Sequence, residues 1–396
     1  MPVTAIKNSL YRAALPFFGL RTGGHASCDA ALPANALEPL LKIFRRHHLV
    51  GGCMQLVKNG VPDAVVTYGF SRLPGEKATE RTLYRTASIT KMVTAVGLMA
   101  LCEKGIVDID APAENYLGFP VRNPAFPDSP ILVRHLLSHT SGLWDGPGYE
   151  QSLFSPISLK EMLGDPRNYL NTAPGEAFRY CNLAAGMAGS VMECADGRSI
   201  AHIMRELVFE RLSMNAAYTL KDLPDPLLVA DIYRVLPRNG GHPAFPVKKR
   251  LQTADDLTNP DPLYHYRLAA GNLFTDAPSL GRLVGALASG GEPVLKPETL
   301  QKMQTPVKPY GKGAPHASHC LGLVMMDDPS LPVGRLYGHQ GFAYGAAEGV
   351  FYDPGTGNGF VFLNNGASEA RNGHLAWINR DLILWAFGKG GPLSGK

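Results

Sequence analysis

Residues 88–104 read Ser-Ile-Thr-Lys-Met-Val-Thr-Ala-Val-Gly-Leu-Met-Ala-Leu-Cys-Glu-Lys, the clearest helical pattern in the chain. Its apolar residues form more than one stripe at helical spacing, and Gly105 follows as a stop signal, so we expect a buried central helix. Ser88 and Lys91 lie three residues apart in the first turn and therefore share a face. A lysine stripped of water can accept the serine proton there, and the positive end of the helix dipole points at the same place. The S-x-x-K pattern alone is a weak signal, because such a tetrapeptide arises about once by chance in a chain of this length.

The segments on either side of this helix predict a sheet built from both chain ends. Residues 36–48 have helical spacing, and two strands at 52–57 and 64–68 are joined through Asn59-Gly60, a strong hairpin signal. Residues 108–305 contain helical patches separated by Pro- and Gly-rich connections. The patches are 133–138, 184–194, 200–212 and 277–288. Three strands follow at 321–326, 346–352 and 359–363, and the chain closes with a helix near 375–387.

We therefore predict an α/β fold of the α+β type. An antiparallel sheet flanked by helices is assembled from both chain ends, and a mostly helical lobe is inserted between them. The predicted division is an N-terminal extension (1–35), an α/β lobe (36–107 plus 306–396) and a helical lobe (108–305). The interface between the two lobes is the natural place for an active site.

A second motif, Tyr180-Cys181-Asn182, follows the turn Pro174-Gly175-Glu176 and offers a hydroxyl and an amide. In a strand, Cys181 would point away from its two neighbours, so we interpret the cysteine as packing. Two similar tripeptides are interpreted as structural: Tyr169-Leu170-Asn171 as a loop, and Ser213-Met214-Asn215 as a cap or turn.

A third motif, Gly338-His339-Gln340-Gly341-Phe342, predicts a strand that runs beside the nucleophile. Its small residues permit close approach of a substrate, and a backbone N–H on this strand could bind an oxyanion. Taken alone, His339 is an ordinary histidine. In chain order with the other two motifs, it becomes a candidate site residue.

Four stretches in this order resemble the class C β-lactamase and penicillin-binding-protein-like serine hydrolases. They are LYRTASITK (83–91), LLSHTSGL (136–143), PGEAFRYCN (174–182) and GHQG (338–341). The likeness runs from about Gly52 to the final helix and implies the β-lactamase/transpeptidase-like fold. Esterases and D-peptidases also belong to this family, so the likeness implies a serine hydrolase without fixing its substrate.

The resemblance also implies a role for each matching residue. Ser88 would be the nucleophile, Lys91 would share its proton, and Tyr180 would act as general base and acid. Asn182 would orient Lys91 and the substrate amide. The oxyanion would sit between the backbone N–H groups of Ser88 and Phe342, on the strand that carries His339 and Gly341. His139, in the second stretch, resembles a structural position of the family.

The chain departs from class C β-lactamases where those enzymes carry Lys-Thr-Gly and this chain has His339-Gln340-Gly341. A neutral histidine binds a carboxylate less strongly than a lysine does, so we expect inefficient hydrolysis of β-lactams. Phe342 and Tyr344 predict apolar surface beside the site, favouring an acyl or aromatic group over a highly charged one.

Composition excludes several classes of function. The net charge of +4 over 396 residues is small and the basic residues are scattered, which argues against a nucleic-acid partner. No apolar run is long enough to span a bilayer, and residues 7–28 make a poor export signal, so a cytoplasmic location is favoured. The six cysteines are widely spaced, and neither a metal, a cofactor nor a disulfide scaffold is predicted. The oligomeric state stays open.

Two other classes of protein compete with this interpretation. An α/β-hydrolase would need a G-x-S-x-G elbow followed by its partners, and Gly366-Ala367-Ser368-Glu369-Ala370 comes too late in the chain. A β-lactam or peptide sensor, or a scaffold, would share the fold without turnover. If the protein is an enzyme, the expected substrates are peptides or amides, which can include D-amino acids, small carboxylic esters, and β-lactams as weak substrates or acylating inhibitors.

Overall fold

A ten-stranded antiparallel sheet organises the fold. The computed structural model describes residues 20–21, 28–30, 32–73, 75–152, 155–235, 243–246, 259–343 and 345–394. Its strands are β1 (Leu20–Arg21), β2 (Cys28–Ala30), β3 (Gly51–Lys58), β4 (Val61–Arg72), β5 (Glu76–Lys77), β6 (Tyr84–Arg85), β7 (Ala216–Ala217), β8 (Tyr233–Arg234), β9 (Pro243–Pro246), β10 (Phe274–Thr275), β11 (Lys308–Pro309), β12 (Ala317–His319), β13 (Val324–Met326), β14 (Leu336–Ala343), β15 (Ala346–Asp353), β16 (Asn358–Asn364), β17 (Arg371–Asn372) and β18 (Leu375–Ala376).

Strands from the two ends of the chain meet in the middle of this sheet. The order in the described residues is β11-β12-β13-β14-β15-β16-β3-β4-β2, with β5 paired to β4. The central pair is β16 and β3, in register from Gly359 opposite Val57 to Asn364 opposite Gly52. The predicted antiparallel sheet assembled from both chain ends is therefore confirmed.

Helices cover both faces of the sheet. They are α1 (Ala34–Arg46), α2 (Ile89–Glu103), α3 (Glu114–Leu117), α4 (Val133–Leu137), α5 (Pro147–Ser152), α6 (Leu159–Gly164), α7 (Asn182–Asp196), α8 (Ile200–Met204), α9 (Arg267–Gly271), α10 (Ala277–Ala288), α11 (Pro297–Gln304) and α12 (Trp377–Phe387). The terminal helices α1 and α12 pack together on one face, and α10 packs on the other, where α2 and α7 continue the apolar core. Over the described residues, no helix combines the length and hydropathy needed to cross a bilayer.

The local sequence signals explain the elements nearest the site. Helix α2 is apolar on all sides and is buried from Ile89 to Leu101, as predicted for a central helix. It ends in a Schellman motif, since Gly105 has a φ of 70° and the Ile106 N–H reaches the Leu101 carbonyl. The β3–β4 hairpin turns at Asn59 and Gly60, whose φ values of 50° and 77° suit a type I′ turn.

Some predicted elements have different bounds. The strand predicted at 321–326 covers only Val324–Met326, and the helix predicted at 200–212 is α8 followed by a π-type turn at Arg205–Phe209. Helix α10 lies within the predicted helical lobe but packs on the sheet. The division into lobes stays a prediction, and most of the predicted N-terminal extension lies outside the described residues.

Candidate active site

Ser88 and Lys91 face each other at the start of α2. Ser88 is the N-cap residue and is partly exposed, whereas Lys91 is 5% exposed. The Lys91 ammonium donates a hydrogen bond to Ser88 Oγ at 3.1 Å. Ala87, immediately before, has a φ of 44°, a strained conformation for a residue with a side chain and one that recurs at functional sites. The helical spacing thus places both side chains together, as predicted.

Two further acceptors surround the Lys91 ammonium. Its nitrogen lies 2.8 Å from the Asn182 amide oxygen and also bonds the Ala270 carbonyl on α9. An ammonium has three N–H donors, so Lys91 is fully hydrogen-bonded despite its burial. Lys91 joins three helices that are distant in sequence: α2, α7 and α9.

Asp145 sets the orientation of the Asn182 amide, and sequence reasoning missed it. Its carboxylate accepts a hydrogen bond from the Asn182 side-chain amide nitrogen at 2.7 Å. It also accepts hydrogen bonds from the backbone N–H groups of Asn182 and Leu183, at 3.0 and 2.9 Å. A carboxylate only accepts, so the Asn182 oxygen must face Lys91. An acidic residue is also favourable at a helix N-terminus. Nothing in the sequence pairs Asp145 with Asn182, because 36 residues separate them.

Tyr180 stands beside Lys91 and is positioned by His139. The Lys91 nitrogen lies 5.1 Å from the centroid of the half-buried Tyr180 ring. His139 packs on the same ring, with centroids 4.5 Å apart, and its Nδ1 accepts the Cys181 N–H at 3.2 Å. Burial, followed by the nearby His319, Lys91 and His339, holds the pKa of His139 well below its usual range. A neutral His139 agrees with the structural position that the resemblance implies.

Cys181 corrects one expectation. The segment is not a strand: Cys181 is the N-cap residue of α7, and its sulfur accepts the Ala184 N–H at 3.3 Å. Because the helix begins here, Asn182 turns towards Lys91 from its first turn. The thiol is fully buried and lies 3.5 Å from an Asp145 oxygen, so it caps the helix as well as packing. The two similar tripeptides lie in a loop (Tyr169) and at a turn (Ser213, φ 49°), as expected.

Strand β14 presents a backbone edge beside Ser88. Phe342 is opposite Ala347 in the ladder, but the Ala347 N–H and C=O bond the side chain of Asn364 on β16. Phe342 therefore occupies a non-hydrogen-bonded pair, and its N–H points to the other edge of β14. Strand β13 covers that edge only as far as Gly338. Ser88 N–H has no acceptor among the described residues, so two free N–H groups lie at this place.

Gly341 allows β14 to approach the turn that carries Ser88. A Cβ at Gly341 would lie 2.5 Å from the Thr86 carbonyl oxygen, 2.8 Å from Glu348 Oε2 and 3.4 Å from the Ala87 Cβ. No side chain fits there, which explains the glycine at this position.

His339 is buried next to Tyr180 rather than presented to the cleft. It is 4% exposed, its ring centroid lies 6.4 Å from that of Tyr180, and its Nδ1 donates to the Gln340 carbonyl at 2.7 Å. Burial, followed by the nearby Lys91 and His319, keeps the pKa of His339 well below its usual range. His339 is therefore neutral, as expected.

A second correction concerns Phe342. The guanidinium of Arg371 lies 3.5 Å above the ring centroid of Phe342, so a cation covers the surface expected to be apolar. In the described part of the chain Arg371 forms no ion pair, although the charge of Glu369 acts on it, and the Glu369 carboxylate accepts a hydrogen bond from the Gly345 N–H. Tyr344 lies outside the described residues. Among the described residues, no group of three or more metal-ligating side chains forms a metal site.

Comparisons with known proteins identify a family and a fold. The sequence model of the Beta-lactamase family matches residues 34–384. Esterase EstB of Burkholderia gladioli is 27% identical over 412 aligned residues, which cover 90% of this chain and 96% of that protein. The D-alanyl-D-alanine-carboxypeptidase/endopeptidase AmpH of Escherichia coli K12 is 26% identical, but the match spans only 54% of this chain and 58% of AmpH.

Solved structures show the same fold at lower identity. EstCE1, described as a hydrolase with promiscuous acyltransferase activity, superposes with a TM-score of 0.72 at 20% identity, covering 88% of this chain and 97% of that one. A D-amino acid amidase from Ochrobactrum anthropi SV3 superposes with a TM-score of 0.69 at 22% identity and the same coverage.

Proposed function

The chain belongs to the beta-lactamase family, and on that premise we propose that it is a serine hydrolase that cleaves carboxylic esters or amides through an acyl-enzyme on Ser88. The full-length likeness to an esterase supports an ester as the first substrate class to test. The 3.1 Å hydrogen bond between Lys91 Nζ and Ser88 Oγ is the observation that carries the proposal.

The Lys91 side chain can accept or donate a proton while its position stays fixed by hydrogen bonds. Two of its N–H groups go to the Asn182 amide oxygen and the Ala270 carbonyl, neither of which can donate. A neutral Lys91 would keep both bonds and turn its lone pair towards Ser88 Oγ. In that neutral form, Lys91 can accept the serine proton as the oxygen attacks the substrate carbonyl carbon.

The remaining steps use Tyr180 and the two free N–H groups. The substrate carbonyl oxygen becomes an oxyanion between the N–H groups of Ser88 and Phe342. Tyr180 passes the proton taken from Ser88 on to the leaving alcohol or amine, as the bond between that leaving group and the carbonyl carbon breaks. In deacylation, water attacks the Ser88 ester, and one water proton returns through Tyr180 and Lys91 to Ser88 Oγ.

Intact mass spectrometry tests the proposal. Wild type, Ser88→Ala and a control, Ser289→Ala on the surface, would each be exposed to a p-nitrophenyl ester and separately to a penicillin. We expect a mass gain and nitrophenol release with wild type and the control, and neither with Ser88→Ala. Equal activity in Ser88→Ala would refute the mechanism, and acylation without release would favour a sensor.

Arg371 favours substrates that carry an anionic group. Its guanidinium carbon lies 3.5 Å from the ring centroid of Phe342, on the proposed oxyanion strand, and it interacts electrostatically with Glu369, Tyr180 and Tyr310. With His339 neutral and Lys91 saturated by hydrogen bonds, Arg371 is the described cation placed to pair with a substrate carboxylate. This observation supports a second candidate, a peptidase acting on a free carboxyl terminus.

Arg371→Met would keep the apolar stem over Phe342 and remove the charge. We expect kcat/KM to fall roughly 10- to 100-fold for an ester bearing a carboxylate and to change little for its methyl-capped analogue. Arg371→Lys, the matched control, should retain part of the preference. Equal losses of kcat/KM for both substrates would show that Arg371 does not recognise the substrate carboxylate.

A further inference from the structure

A buried carboxyl group lies directly behind the proposed oxyanion strand. Glu348 on β15 is fully buried and stands opposite Gly341 in the β14–β15 ladder. Its two carboxyl oxygens meet no hydrogen-bond donor at normal geometry among the described residues. The proposed mechanism gives this side chain no role, and an orphaned buried carboxyl needs a physical explanation.

The side chain is in contact with the strand that carries Phe342. Glu348 Oε2 and the Thr86 carbonyl oxygen both lie within 3 Å of the point where a Cβ of Gly341 would stand. Gly341 is thus held between the turn leading to Ser88 and the carboxyl of Glu348. Phe342, which follows Gly341, is thus next to a residue that lies between these two groups.

The charge state of Glu348 follows from its surroundings. An isolated buried carboxylate is very costly, and the group avoids that cost by staying protonated. Burial raises the pKa of Glu348 well above its usual range, and it outweighs the nearby Asn364 N–H and the charge of Arg85. The other titratable groups acting on this region are Tyr84 on β6 and, through Tyr84, Cys53 on β3.

We propose that Glu348 is a positioning residue for the oxyanion donors and that it works only as the neutral acid. As such, it supports Gly341 without opposing the negative charge that develops next to Phe342. Once ionised, it would place a like charge behind the same peptide and disfavour the oxyanion. Activity should be present while Glu348 is protonated and should fall as pH rises through its raised pKa.

The test compares Glu348→Gln, which has the same shape and never ionises, with Glu348→Ala, which removes the contact with Gly341. Ester turnover by each protein would be measured from about pH 5 to about pH 10, with the uncatalysed rate subtracted. We expect Glu348→Gln to match wild type near neutrality and to lose less activity than wild type as pH rises. Glu348→Ala should lose roughly tenfold or more in kcat with little change in KM.

Two results would overturn the inference: an unchanged alkaline fall in Glu348→Gln, or a wild-type kcat in Glu348→Ala. If Glu348→Ala does not fold, the pH profile of Glu348→Gln still decides. The role of Glu348 rests on the proposed function, but different experimental results would refute the role and the function. Activity that survives Ser88→Ala refutes the function, whereas an inactive Ser88→Ala beside either overturning result refutes only the role of Glu348.

Discussion

Asp145 illustrates how one side chain outside the sequence motifs controls the site. Three donors from the first turn of α7 converge on its carboxylate, and one of them is the Asn182 amide nitrogen. Without that acceptor, the amide could rotate and present its nitrogen to the Lys91 ammonium, two donors that repel each other. The orientation of Asn182 therefore depends on a residue that contacts neither Ser88 nor Lys91 in the structure.

Asp145→Ala should reduce both activity and stability. We expect kcat to fall roughly 10- to 100-fold because Lys91 loses a fixed acceptor, and the free energy of unfolding to fall by about 1–2 kcal/mol because the helix loses its capping carboxylate. Ester kinetics and thermal unfolding measure the two effects. Asp165→Ala is the control, since Asp165 caps the short helix at Pro166–Asn168 through the Arg167 N–H. A wild-type kcat in Asp145→Ala would show that Asp145 has no part in positioning Asn182 for the reaction.

Helix α9 supplies the Ala270 carbonyl to Lys91, and a buried ion pair holds its N-terminal side to α7. His265 Nε2 lies 2.7 Å from a Glu193 carboxylate oxygen, and its Nδ1 bonds the Asn259 carbonyl. Both partners are acceptors, so His265 donates from both nitrogens only when it is protonated. Burial lowers the pKa of His265, but the Glu193 hydrogen bond and charge and the Asn259 carbonyl together raise it above 6.5.

This arrangement predicts a pH-dependent contribution to stability. Because the pKa is raised on folding, the contribution is complete below about pH 6.5, the unfolded value, and is lost as pH rises through the folded pKa. His265→Gln should therefore lower Tm more at about pH 6 than at about pH 9. His202→Gln, at an exposed position on α8, is the control. Equal Tm losses at both pH values would contradict the prediction.

The elements around the site show which parts of the structure can be predicted from sequence. Helix α2 and the β3–β4 hairpin follow from short-range patterns, namely apolar spacing with a glycine stop and an Asn-Gly turn. The tripeptide around Cys181 is compatible with a strand as well as with the first turn of a helix, because three residues are too few to separate the two. The contacts of Asp145 and Arg371 join distant segments by tertiary packing, and no local pattern encodes them.

At the scale of the whole molecule, the sheet separates two apolar cores with different relations to the site. The core on one face includes α2 and α7, which carry Ser88, Lys91 and Asn182. The other core is closed by α1 and α12, where Trp385 donates to the Ala36 carbonyl. Because the terminal helices pack on the face away from Ser88, changes there should act on stability and leave the chemistry intact.

A matched pair of leucines on α12 tests this separation. Leu382 is fully buried in the core beneath α12, whereas Leu384 is 38% exposed on the same helix. Leu382→Ala should lower the free energy of unfolding by about 2–5 kcal/mol because it leaves a cavity, and Leu384→Ala should change it by less than about 1 kcal/mol. With both variants held below their Tm, kcat per folded molecule should equal that of wild type. A kcat loss in Leu382→Ala beyond its unfolded fraction would show that the two cores are mechanically coupled through the sheet, and that the geometry at Ser88 depends on how the chain ends are packed.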